Sequence, residues 1–175
     1  GQDGRGTRLI VQNETSSVAA MLREGHARGM HTVFNPSPFS DEILHYPLDA
    51  VDCFVINEIE GAALTGQNDP QGILQTMQAR YPHADVLLTL GGEGAMYATG
   101  GTLYKQPIFQ VPVRDTTAAG DTFLGYFFAL LDESDVKTAL RYAAAASALA
   151  VSVAGAAASI PYRAQVHTFL AAQQP

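Results

Sequence analysis

The sequence predicts an α/β fold whose mainly parallel sheet is covered by helices on both faces, a three-layer α/β/α arrangement. Three observations carry that expectation. Strand-type and helix-type segments alternate along most of the chain. The strand-type segments are short and almost continuously apolar, as strands buried on both faces read. Apolar residues make up 47% of the 175 residues and charged residues 15%, the balance of a globular domain with its own core.

Arg8-Leu9-Ile10-Val11-Gln12 reads as a short strand. Thr15 to Arg28 sets Val18, Met21 and Leu22 at helical spacing behind a candidate N-cap at Thr15. His31-Thr32-Val33-Phe34-Asn35 is the next strand, stopped by Pro36 and Pro38, and Val51 to Ile56 is a third. A short helix from Glu58 to Leu64 closes at Gly66, and a second from Pro70 to Arg80 opens with proline in its favoured first turn. Asp85 to Leu90 is a strand running into Gly91-Gly92-Glu93-Gly94. Short strands are expected around Ala95–Thr99, Thr102–Lys105 and Ile108–Val111. The remainder reads as helix, over Ala119–Leu131, Asp135–Val153 and Arg163–Ala171. Residues 1–7 are polar and glycine-rich, so they are expected to form a loose segment ahead of a domain over 8–175.

The net charge is −7, from 17 acidic and 10 basic residues. A nucleic-acid binder needs a basic stripe that displaces counterions, so DNA and RNA are not expected partners. A nucleotide stays open, because backbone N–H groups and a metal can supply positive field locally. Cys53 is the single cysteine and lies in an apolar run, which reads as a small buried hydrophobe in a reducing, cytoplasmic setting. Ala143 to Ile160 is uncharged but alanine-rich, with serines and Gly155, and reads as a buried helix and turn rather than a membrane span.

Several common signatures are missing. No glycine precedes a lysine, which excludes a Walker A loop, and Tyr97 stands where a dinucleotide fingerprint beginning at Gly92 needs its third glycine. The histidines, at 26, 31, 45, 83 and 167, have no zinc spacing, and no Gly-x-Ser-x-Gly elbow is present. Asp115-Thr116-Thr117-Ala118-Ala119-Gly120-Asp121-Thr122-Phe123 stands out. It is a loop of small residues entering an apolar helix, where free N–H groups and the helix dipole favour an anion. On spacing alone the alternative is open: Asp115 or Thr117 caps the helix and Asp121 merely complements its dipole.

That segment resembles the C-terminal signature of ribokinase-like (PfkB-type) sugar kinases, Asp-Thr-x-[Gly/Ala]-[Gly/Ala]-Gly-Asp-x-Phe. Other segments resemble the family's in the same order: Val11-Gln12-Asn13-Glu14 the strand end that meets the sugar, Asn35-Pro36-Ser37-Pro38 the Asn-Pro-x-Pro element, and Asn57-Glu58-Ile59-Glu60 the Asn-x-x-Glu motif. Thr89 to Gly94 resembles the nucleotide loop, and Gly155 to Pro161 the cation segment.

The resemblance implies an ATP-dependent phosphotransferase acting on a sugar hydroxyl. By that analogy Asp121 is the general base, and the N–H groups of Ala118, Ala119 and Gly120 form an anion hole. Asn57 and Glu60 would hold Mg²⁺ through water, with a solvated capping pair as the alternative. Asn57, Thr89, Gly91, Gly92, Gly94 and Gly120 would meet the nucleotide, although a tight turn also explains the loop glycines. Asp115, Thr117, Ala150, Val153, Gly155 and Ser159 would line a site for a monovalent cation such as potassium. Glu14 would meet the sugar, or is an ordinary surface carboxylate. The family is longer, so the first βα units, the acceptor contacts and a small β-lid are expected to be absent here. The chain alone is then expected to be inactive, and to pair with that part or with itself. A non-catalytic nucleotide-binding remnant and a partner-dependent subunit are the alternatives.

Overall fold

The computed structural model describes Gly4, residues 6–155 and residues 160–173. The chain divides into two compact units, Gly1–Gly91 with Met96–Leu103, and Gly92–Ala95 with Tyr104–Pro175.

The first unit is built on the sheet. Strands β1 (Arg8–Gln12), β2 (His31–Asn35), β3 (Cys53–Asn57) and β4 (Asp85–Thr89) lie side by side in chain order and pair in parallel. β5 (Ala95–Thr99) and β6 (Thr102–Gln106) complete the sheet at the β4 side. They are joined through Gly100 and Gly101 at φ 53° and 77°, the positive-φ pair that a two-residue hairpin requires. Helices α1 (Val18–Ala27), α2 (Glu58–Thr65) and α3 (Pro70–Arg80) provide the crossovers. Phe34, Phe54, Ile56, Leu88, Leu22 and Ile73 are buried in one core.

Cys53 is part of that interior. Burial, with Asp85 and Asp52 adding to it, pushes its thiol far above the ordinary value, so it is a small hydrophobe and not a nucleophile. Tyr97 donates to Asp85 at 2.7 Å, satisfying its hydroxyl in the buried interior.

The second unit is helical. α4 (Ala119–Leu131), α5 (Val136–Val151) and α6 (Arg163–Ala172) follow one another. α5 buries Ala139, Ala143, Ala144, Ala146 and Ala150, and these short side chains let α4 pack close against it. The alanine-rich stretch is therefore an interior helix surface. Among the described residues no helix is long and apolar enough to cross a membrane.

Four expectations need correction. α1 begins at Val18, with Ser17 at the N-cap position and no side-chain cap; the Thr15 hydroxyl instead accepts the Ser17 N–H at 3.5 Å. That local turn competes with capping. The residues from Ile108 to Val111 are not a strand. Pro107 and Pro112 flank them and cannot donate to a ladder, and Phe109 packs edge-on against Phe169 with centroids 5.5 Å apart. β3 begins at Cys53 because the Asp52 carboxylate accepts the Thr32 N–H at 2.8 Å just before it. Asp135 stands outside α5 as its cap, accepting the Thr138 N–H at 3.0 Å, and α5 ends at Val151 rather than Val153.

Candidate active site

The segments singled out after β1, β2, β3 and β4 each leave the carboxyl end of a parallel strand, the end where open α/β sheets collect ligands. Gln12 registers with Asn35, and Asn57 with Thr89. Glu14 is exposed, two residues past β1. Its neighbour Asn13 is pinned, donating to the Pro38 carbonyl at 2.7 Å and accepting from the Tyr46 hydroxyl at 3.0 Å. The loop from Asn35 to Ser40, with a cis Ser37–Pro38 bond, is thereby tied to the end of β1. Tyr46 has no counterpart in the motifs, and its role was not legible in them.

Asn57 and Glu60 form a reciprocal pair at the start of α2. The Asn57 side chain accepts the Glu60 N–H at 2.9 Å, and the Glu60 carboxylate accepts the Asn57 N–H at 3.0 Å through Oε2. Capping is therefore present, yet Glu60 is 5% exposed, so it is not the solvated glutamate of the simple capping alternative. Among the described residues its second oxygen, Oε1, has no hydrogen-bond partner.

Beyond β4, Gly91–Glu93 makes a single turn of 3₁₀ helix. Gly91 and Gly92 have open space where a side chain would begin. Gly94 does not: it sits at φ 108°, and a Cβ there would fall 2.0 Å from the Gln106 carbonyl oxygen. The backbone itself requires glycine at 94.

In the second unit, α4 starts at Ala118 with no side-chain cap. Asp115 and Thr117 are occupied otherwise. One oxygen of Asp115 accepts the Thr117 N–H at 2.9 Å and hydroxyl at 2.6 Å, and the other accepts the Gly155 N–H at 3.2 Å. The Thr117 hydroxyl, then the Thr117 and Gly155 N–H groups, hold the Asp115 carboxyl below the usual carboxylate range. The Ala119 N–H donates to the Thr116 carbonyl at 3.1 Å, whereas among the described residues the N–H groups of Ala118, Gly120 and Asp121 have no acceptor. Gly120 is exposed with open space around it, and Asp121 is exposed in the first turn with its carboxylate unengaged. Ser147 donates to the Ala119 carbonyl at 3.1 Å, fixing the helix start from α5 across 28 positions. No motif flags that contact.

The Val151 carbonyl accepts the N–H groups of Arg114 and Asp115 at 2.7 and 3.2 Å, so the loop before α4 is stitched to the end of α5. Ala150, Val153 and Gly155 lie in that same stretch as Asp115 and Thr117. Ser159, the remaining residue of the expected cation segment, lies outside the described residues.

Residues 6–163 match the pfkB family carbohydrate kinase. The chain belongs to that family. Among its pfkB relatives, a ribokinase of Haemophilus influenzae is 36% identical over 172 residues, covering 93% of this chain and 55% of that protein. The ribokinase of Cryptococcus neoformans var. grubii serotype A, solved in complex with ADP, matches with a TM-score of 0.82 at 29% identity, over 93% of this chain and 59% of that one. Arabidopsis thaliana ribokinase, complexed with ribose and ATP, matches with a TM-score of 0.80 at 29% identity, over 93% and 55%. The likeness is to the three-layer α/β fold class that the alternating segments predict. The chain spans little more than half the length of these pfkB relatives.

The metal expectations can be tested against the donors present. Among the described residues no group of three or more His, Cys, Asp or Glu could hold a metal ion. A buried carboxylate with one unengaged oxygen fits Mg²⁺ that keeps most of its water and rests on nucleotide phosphates, as that ion prefers. Around Asp115 the contacts are the Thr117 N–H and hydroxyl and the Gly155 N–H, with the Val151 carbonyl taken by the Arg114 and Asp115 N–H groups. Both Asp115 oxygens already accept protein N–H or O–H groups, so carbonyls would carry most of the coordination.

Proposed function

We propose that the protein carrying this chain transfers the γ-phosphoryl group of ATP to a hydroxyl of a sugar, of the ribokinase class. The observation that carries this reading is the open start of α4. Among the described residues three N–H groups there have no acceptor and no side chain caps them, and a carboxylate stands in the same first turn. A carboxylate beside an anion site is electrostatically costly, and the cost is explained when that carboxylate must receive a proton.

In this mechanism Asp121 accepts the proton of the attacking sugar hydroxyl. The N–H groups of Ala118 and Gly120 stabilise charge on the transferring phosphoryl group, with Ala119 joining if its bond to Thr116 opens. Thr89, Gly91, Gly92 and Gly94 would make the nucleotide-facing turn, and Glu60, oriented by Asn57, would hold hydrated Mg²⁺. When bound, that ion neutralises phosphate charge. Asp115, Thr117, Ala150, Val153 and Gly155 would hold a monovalent cation beside the anion hole. Glu14, set by Asn13 and Tyr46, contacts the sugar. The exposed side chain of Ile10 and the free edge of β1 are covered by another strand of the working enzyme.

The test uses the protein expressed from its own gene. ATP and Mg²⁺ are supplied with ribose, deoxyribose, fructose and a nucleoside, and sugar phosphate is followed by coupled ADP release. Stoichiometric ADP and sugar phosphate with one acceptor supports the reading. ATP binding without transfer to any of them would reduce it to a nucleotide-binding module.

A further inference from the structure

The second unit contains a cavity of about 390 Å³ between α5 and α6, lined by Thr138, Arg141, Tyr142, His167, Leu170 and Ala171. Its size falls within the roughly 300–1,000 Å³ range of small-molecule sites. None of its lining residues belongs to the start of α4 or to the end of α5, so it is a different place from the proposed transfer site.

Arg141 marks it. The side chain is half-buried, and among the described residues no carboxylate or carbonyl pairs with its guanidinium. Three other arginines are engaged, Arg28 with Glu24 at 2.6 Å, Arg163 with Glu133 at 2.9 Å, and Arg80 with the Leu64 carbonyl, while Arg23 and Arg114 are exposed. The Arg141 guanidinium stands without a neutralising partner among the described residues of a chain with 17 acidic residues, and none of its nitrogens is buried away from solvent. Asp135, the nearest acid in sequence, is used locally, taking the Thr138 N–H at 3.0 Å and hydroxyl at 2.8 Å. The lining contains no carboxylate. It combines one permanent cation, an imidazole, two hydroxyls, and an apolar wall from Leu170, Ala171 and the Tyr142 ring.

We propose that this cavity is a second ligand site, for a small organic oxyanion. Its carboxylate or phosphate group would lie on the planar fork of Arg141, and its apolar body against Leu170, Ala171 and Tyr142. The bland alternative is that the Arg141 stem merely covers apolar surface while its head stays in water.

The experiment is a ¹⁵N amide titration of the protein expressed from its own gene. Inorganic phosphate and benzoate are added separately, with sodium chloride at matched ionic strength as control. Saturable shifts at Thr138, Arg141, Tyr142 and His167 are expected with at least one probe. Benzoate alone would identify a carboxylate ligand, phosphate alone a phosphate ester. Arg141→Gln should weaken the response by about tenfold or more, the loss of one charge-assisted contact, while leaving phosphate shifts at Ala118–Asp121 unchanged. Arg141→Lys keeps the charge without the fork and should fall between, which serves if the glutamine variant folds poorly. Shifts reproduced by chloride, shifts confined to Ala118–Asp121, or saturable binding that survives Arg141→Gln would each overturn the proposal.

Discussion

At the start of α2, Asn57 and Glu60 satisfy the first-turn backbone from within the helix; at the start of α4, no side chain does so. α2 follows β3 directly and α4 follows an irregular stretch, and both place an acid in the first turn. At α2 the acid is buried and bonded, whereas at α4 Asp121 is exposed and free. α3 and α5 resemble α2, each capped by an aspartate. A satisfied helix start is a structural joint. α1 also starts without a side-chain cap but has no acid in its first turn; at α4 the start, fixed by Asp115 from before and Ser147 from behind, carries a free carboxylate beside it.

The largest expected effect breaks the α4 side of that contrast. In the protein expressed from its own gene, Asp121→Asn should lower turnover by a factor on the order of 10² or more, the cost of losing a positioned base. Binding of a non-hydrolysable ATP analogue should change little, and thermal stability should hold because the carboxylate makes no bond. Turnover within a few-fold of the parent would mean that the free acid merely complements the helix dipole.

Two glycines sharpen the comparison next. Gly94→Ala forces a Cβ into the Gln106 carbonyl at a positive φ, so the loss of stability should be roughly 2–4 kcal/mol. Gly120→Ala meets open space in a helical position and should leave stability equal or raise it by up to about 1 kcal/mol. Its penalty should appear in nucleotide affinity and turnover, because the methyl group crowds the phosphoryl position. Urea denaturation alongside kinetics separates the two. A Gly120→Ala protein with full activity would show that nothing approaches that backbone closely.

How much of this was legible depends on how local the determinant is. The β-strands announced themselves as apolar runs, and α3 through Pro70, because those signals lie within a few neighbouring residues. The Asn57–Glu60 box was readable as spacing, but the burial of Glu60 depends on what packs over it. Thr15 reads as the cap of α1, but its hydroxyl accepts the Ser17 N–H in a local turn, a choice that spacing does not decide. The run from Ile108 to Val111 has strand composition, yet two prolines and the pull of Phe169 on Phe109 decide otherwise. At α4 the motif gave the residues of the open start. That Ala119 is committed to Thr116 is a backbone detail, and that Ser147 holds Ala119 is a contact between distant segments.

Smaller effects test the cap of α2 and the Asp115 joint. Asn57→Ala should cost about 1 kcal/mol at neutral pH, the ordinary value of a side-chain cap. Asp115 is held below its ordinary value of 3.8 by donors that bond its charged form. A depressed folded-state pKa gives stability that is present above the unfolded value and is lost as pH falls through the folded one. The stability difference between the parent and Asp115→Asn should therefore be constant near neutrality and shrink once the pH drops below 3.8. Denaturation midpoints between neutrality and strong acid would show this. A difference that stays flat to the lowest pH would mean that the Asp115 bonds are not held in solution.

The smallest effect concerns Thr122, one residue past Asp121. It is 3% exposed, and among the described residues its buried hydroxyl has no hydrogen-bond partner. Such a group costs about 1–3 kcal/mol if nothing meets it, whereas in α2 the buried hydroxyl of Thr65 is satisfied by the Gly61 carbonyl at 2.6 Å. Thr122→Val replaces the hydroxyl with a methyl group of nearly the same shape. If the hydroxyl has no partner, the variant should be as stable as the parent or slightly more so, with Phe123 and Phe127 packing undisturbed. If a water or a bound phosphate group takes that hydroxyl, the variant should lose both stability and nucleotide affinity. Thermal melts with and without ATP and Mg²⁺ separate the cases: a loss seen only with nucleotide would add Thr122 to the open start of α4, and a loss in both would mark the hydroxyl as another structural joint.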